Sequence, residues 1–265
     1  PARTTYPEWH PQPLPASVKH GDLEITFKQL LVGVDSSSKP AAPPPGEGSY
    51  ARLEFDLKVN GEPTEVWVPV GVELADATGN KTQPDRYSSG TEKGTAYVRG
   101  LPYLWSSERA WKVRTEFMRN ERGAFTTNEL IEVRGLAVPP PDGVTELNLS
   151  TNRLGHTARV FGHARGKGQF GSRHSHMGGA GVTLEVDVSP SLGTDKRLTV
   201  LQVRDDQGRT VQSIGHGSSG GSFSFGFDPK ADVQSLDFTL AVQEVVTAEF
   251  LVKPVLFKPS ASAAK

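Results

Sequence analysis

The chain has 265 residues, with 29 Lys and Arg against 30 Asp and Glu, 28 Gly, 20 Pro and no Cys. A formal charge of −1 and a pI near 6.8 lack the basic footprint of a nucleic-acid binder, and the missing Cys excludes a disulfide scaffold, a thiolate metal site and a cysteine nucleophile. No segment approaches the ~18 consecutive apolar residues needed to cross a bilayer as a helix.

Residues 1–17 read as an extended strap. The run Tyr6-Pro-Glu-Trp9-His-Pro-Gln-Pro-Leu-Pro15 is rich in Pro, and its two aromatics gain from burial against a domain or a neighbouring chain. The chain starts at Pro1 without an apolar signal core, and a cleaved export signal is expected, placing the protein in the periplasm, at the cell surface or outside the cell. Alternation of period two then begins. Leu23, Ile25 and Phe27 alternate with Glu24, Thr26 and Lys28, and Leu53, Phe55, Leu57 and Val59 alternate with charged residues. Each run buries one face and wets the other, the antiparallel pattern. Between them, residues 36–49 (SSSKPAAPPPGEGS) form a Pro-rich surface loop.

Asp76-Ala-Thr-Gly79 is a hairpin signal, because Asp caps the turn and Gly accepts positive φ. Ser88-Ser89-Gly90 marks another tight turn, and a short helix or turn is expected over 104–109. Trp111 and Val113 open a further alternating strand, followed by one over 129–138. Pro139-Pro140-Pro141-Asp142 cannot donate to a sheet ladder and reads as a stiff linker. The landmarks then recur. Gly208 of Asp205-Asp206-Gln207-Gly208 lies 129 positions beyond Gly79, and Ser218-Ser219-Gly220 lies 130 positions beyond Ser88-Ser89-Gly90. Leu236, Phe238, Leu240 and Val242 alternate, and Glu249–Lys253 ends at Pro254 as the 129–138 strand ends at Pro139. The small-residue tail 259–265 reads as a disordered terminus.

These features predict an all-β chain with two tandem antiparallel β-sandwiches at 18–138 and 143–258, joined by a Pro-rich linker at 139–142. Trp67, Phe55, Trp111 and Phe117 are expected to fill the first core; Phe161, Leu201, Phe225, Phe238 and Phe250 are expected in the second. The landmarks resemble tandem bacterial immunoglobulin-like or fibronectin-like modules, without the Cys…Trp…Cys signature of antibody domains. The resemblance implies exported and envelope proteins and carries no functional residues with it.

No nucleophile elbow appears, and the acidic residues single out no catalytic pair. A calcium site at Asp76, Asn80 and Asp85 lacks the dense acidic run it needs. The expected role is therefore a non-enzymatic, cofactor-free interaction subunit that contacts protein partners or its own copies within an envelope or extracellular assembly. Tyr6, Trp9, Tyr103 and Trp105 are its candidate contact residues. The same aromatics, with Tyr87 and Tyr97, admit a glycan-binding alternative. Four of seven His fall between Gly155 and Gly179, and His174 and His176 with Met177 are a candidate metal set. His156 and His163 are seven apart and face opposite sides of a regular strand unless a bulge intervenes.

Overall fold

An extended chain sends successive side chains to opposite faces, so alternation gives each strand one set for the core and one for water. The computed structural model describes residues 6–34, 50–84, 87–101, 108–166, 169–170, 173–174 and 181–256. Its first strands are β1 (Ala16–His20), β2 (Leu23–Val34), β3 (Tyr50–Val59), β4 (Glu62–Pro63), β5 (Trp67–Ala75), β6 (Lys81–Thr82), β7 (Ser88–Glu92), β8 (Thr95–Leu101) and β9 (Trp111–Arg119). A 3-10 turn at Arg122–Ala124 precedes β10 (Leu130–Ala137), β11 (Val144–Arg153), β12 (His156–Arg165), β13 (Gln169–Phe170), β14 (Arg173–His174) and β15 (Val182–Ser189). Then come β16 (Lys196–Asp205), β17 (Gln212–Ser219), β18 (Ser222–Asp228), β19 (Ser235–Glu244), β20 (Val246–Val252) and β21 (Val255–Leu256). The chain is all-β, and its sheets are antiparallel apart from a short parallel pairing of β21 with β2. The turn expected over 104–109 and the loop at 36–49 fall largely outside the described residues.

The chain divides into two compact units, one running to Arg119 and resuming at Val246, the other spanning Asn120–Val245. The first unit faces a sheet ordered β1-β2-β3-β8-β7 with one ordered β20-β9-β5-β6. Between them Phe55 meets Phe27 edge-on at 5.0 Å and Phe117 at 5.3 Å, and Phe27 meets Phe250 at 5.2 Å. Each of these fully buried rings contributes about 1.5–3 kcal/mol through burial. The second unit faces β11-β12-β15-β18-β17 with β10-β19-β16, around a core in which Phe227 and Phe238 lie 5.3 Å apart.

The two units have matching strand orders. β1, β2, β3, β8 and β7 correspond to β11, β12, β15, β18 and β17, while β5, β9 and β20 correspond to β16, β19 and β10. The last pair is exchanged along the chain: β20 follows β19 yet pairs with β9, and β10 follows β9 yet pairs with β19. One residue, Val245, separates β19 from β20. A hairpin needs about two loop residues, so β20 cannot fold back on β19 and must find another partner.

This changes the expected boundaries. The unit edges fall near Asn120 and Val245, not at the prolines. Pro139–Pro141 lies within the second unit, where the Gly143 amide donates to the Pro140 carbonyl at 2.8 Å and turns β10 into β11. Phe250 therefore packs in the first core, not the second. Phe161 and Leu201 are only half-buried. Each is the extra residue of a β-bulge, between Val160 and Gly162 and between Val200 and Gln202, where alternation is interrupted. Trp67 is half-buried rather than central. The Ser-Ser-Gly motifs are not equivalent either. Ser88–Gly90 lies inside β7, and the turn matching Gly220–Gly221 is Lys93–Gly94.

Candidate functional site

The strap places Tyr6 at 56% exposure, whereas Trp9 is half-buried with the Lys112 ammonium 5.5 Å from its ring centroid. Glu8 pairs with Arg109. Gln12 joins the Leu251 backbone twice, donating its amide to the Leu251 carbonyl at 2.7 Å and accepting from the Leu251 amide at 3.0 Å. The strap is thus held along β20 of its own unit. Tyr103 and Trp105 lie outside the described residues. Tyr97 carries the Arg99 guanidinium 4.1 Å above its ring. Burial, with Glu116 nearby, pushes the Tyr87 hydroxyl above the usual phenol range.

The bulge at Phe161 turns both His156 and His163 inward. His156 donates from Nδ1 to the Pro190 carbonyl at 2.8 Å, leaving Nε2 to accept from Lys196 Nζ at 3.3 Å. His163 donates from Nε2 to the Ala137 carbonyl at 2.6 Å, and its buried Nδ1 has no partner. Burial pushes this imidazole below its ordinary value, against the Ala137 hydrogen bond. Among the described residues no three His, Asp or Glu side chains are grouped to hold a metal ion. The backbone of His174 pairs with Gln169, and His176 and Met177 lie outside the described residues.

The repeated Asp-x-x-Gly turns are structural. Asp76 Oδ1 accepts from the Thr78 amide at 2.9 Å and the Asn80 amide at 3.0 Å; Asp205 Oδ1 accepts from the Gln207 amide at 3.0 Å and the Arg209 amide at 2.8 Å. Burial pushes the Asp76 carboxyl up, but hydrogen bonds from Thr78 and Asn80 outweigh it and hold it below the usual carboxylate range. Asp205 is also held low, with hydrogen bonds from Arg209 overcoming its desolvation. Both Asp76 oxygens are engaged by neighbours in the turn, which argues against a calcium role; Asp85 lies outside the described residues.

Three features of the second unit have no counterpart in the sequence reading. On the outer face of β10, β19 and β16, Glu132 sits between Arg122 and Arg134, and the Gly135 amide donates to Asp237 Oδ1 at 2.7 Å. Arg134 and Arg122 hold the Glu132 carboxyl below its ordinary value. Next, β17 is an edge strand with no Asp, Glu, Lys, Arg or Pro, and all but Gly215 is exposed. In the first unit Ser89 Oγ and Thr91 Oγ1 donate to the Pro69 and Trp67 carbonyls at 2.8 and 2.7 Å, tying β7 to β5. No hydrogen bond joins β17 to β16 among the described residues. Finally, a pocket of about 380 Å³ at the end of β17 is lined by Lys196, Arg197, Ser218, Ser219 and Phe223. Its residues come from segments over twenty positions apart, so no local sequence pattern marks it.

No known family model matches the chain, and no curated protein matches it in sequence.

Proposed function

We propose that the chain is a non-enzymatic interaction protein, an exported accessory subunit of two immunoglobulin-like modules that binds protein partners in an envelope or extracellular assembly. The observation that carries this reading is the open edge of β17. Edge strands are usually shielded by charge, proline or a covering element. Here seven of eight residues are exposed, Ile214 at 46%, and the matching strand of the first unit is tied down where β17 is not. An extended segment of a partner adds to such an edge through main-chain hydrogen bonds. Carbohydrate binding has less support, because Arg99 covers the Tyr97 face.

A photocrosslinker at position 216, in cells that make the protein, is expected to form polypeptide adducts, including any with a second copy. Ile214→Lys places a charge on the edge and is expected to abolish those adducts while the circular dichroism spectrum is retained. Adducts no stronger than those from the exposed control position 159 on β12 would rule the edge out.

A further inference from the structure

The two units carry the same two-residue turn. Lys93 and Gly94 join β7 to β8 at φ +51° and +78°; Gly220 and Gly221 join β17 to β18 at φ +58° and +93°. The Gly94 carbonyl accepts from the Leu57 amide at 2.8 Å, and the Gly221 carbonyl accepts from the Val188 amide at 2.8 Å. A Cβ on Gly94 would strike Pro63, and one on Gly221 would strike the Val188 carbonyl and crowd Ser191. The turns are thus docked against equivalent segments.

What differs is the acceptor on the first turn amide. In the first unit the Lys93 amide donates to Glu65 Oε1 at 2.5 Å. Glu65 stands five residues before the β5 bulge at Val70, and the residue five before the β16 bulge at Leu201 is Lys196, a cation where the first unit has its carboxylate. The Gly220 amide has no protein acceptor among the described residues, and Gly220 lines the pocket with Lys196 and Arg197. Arg197 is anchored over that segment by Nη1 donating to the Lys196 and Thr194 carbonyls at 2.9 and 3.2 Å. Asp195 lies against Gly193 instead of the turn. The Lys196 and Arg197 cations, the Ser218 hydroxyl on the face of Phe223 and the turn beside them suit a carboxylate.

We infer that this pocket takes a carboxylate side chain from an acidic segment of a partner protein, in the place that Glu65 fills within the first unit. The inference stands apart from strand addition, because it uses the turn amide and side chains and not the outward ladder of β17.

The probe is the peptide acetyl-Glu-Pro-Thr-Glu-amide, which copies residues 62–65, titrated into the ¹⁵N-labelled full chain. Gly220 and Gly221 amide resonances are expected to shift, with millimolar affinity of about 1–10 mM for so small a ligand. The acetyl-Gln-Pro-Thr-Gln-amide peptide should bind roughly tenfold more weakly, the loss expected when a charge-assisted hydrogen bond becomes neutral. Sodium acetate shifting the same amides as strongly as the peptide would reduce the site to a general anion contact and overturn the polypeptide assignment. Lys196→Gln should weaken the peptide, and Lys196→Glu, which puts a carboxylate at the position of Glu65, should abolish binding with the remaining spectrum unchanged. Ile214→Lys should leave it intact, which separates this site from the strand edge. Equal binding of the two peptides, or no shift at Gly220 at saturating peptide, would refute the inference.

Discussion

Asp76 and Asp205 each bridge backbone amides across a turn, and each is ionised when it does so. Their folded-state carboxyls titrate below the unfolded value, so their stabilisation is complete above the unfolded pKa and disappears as pH falls through the folded one. Asp76→Ala should cost about 1–3 kcal/mol at pH 7 by leaving turn amides unpaired. Urea melts should show the gap between Asp76→Ala and the parent closing as pH falls below about 4 and through the lower folded value. His163 runs the other way round. Held neutral by burial, it binds its proton more readily when unfolded, so the protein loses stability as pH drops through about 6.5. Counting from the bulges, the residue matching His163 is Leu30, itself fully buried. His163→Leu should stay within about 1 kcal/mol of the parent at pH 7 and flatten the fall between pH 7 and pH 5, as read by denaturant midpoints. The Asp turns were legible in the sequence because Asp-x-x-Gly is local chemistry. The inward turn of both histidines was not, since it depends on a bulge that no local residue announces.

At the scale of elements, alternation locates β3, β9 and the first half of β19, where one face is buried and the other is more exposed; from Leu240 to Gln243 both faces of β19 are buried. Alternation fails at Phe161 and Leu201, where one extra residue flips the face. Turn composition misled at Ser88–Gly90, which has the residues of a turn but sits in a ladder; Lys93–Gly94 makes the actual reversal. Gly94→Ala should therefore be more costly than Gly79→Ala. Both glycines need positive φ, worth about 1–2 kcal/mol against Ala, but only Gly94 also faces a neighbour, with Pro63 Cβ 2.6 Å from the added methyl. Thermal denaturation of the two variants tests the order. The pocket beside β17 could not be read from the sequence, because pairing of β15, β18 and β17 is what assembles it.

For the whole molecule, the Asp-x-x-Gly turns recur in both units while the Ser-Ser-Gly motifs do not match, and the compact units divide near Asn120 and Val245 and not at the prolines. A Pro cluster is visible in composition, whereas the strand exchange follows from pairing partners far apart in sequence. Phe250→Ala should cost about 3–5 kcal/mol and loosen the first unit alone, with amide exchange rising in β2, β3 and β9 while β12, β15 and β18 stay protected. The exchange also makes the two units unequal as pieces of chain. Residues 120–245 carry every strand of theirs consecutively, whereas the first unit is interrupted and recovers its last strand only after the second is complete. In topology, one repeat is a circular permutant of the other, inserted into its host. A ribosome would finish the guest before the host could close. Because Phe117 and Val246 are cross-strand neighbours, excising the guest and bridging the gap with a short loop should yield a minimal folded host.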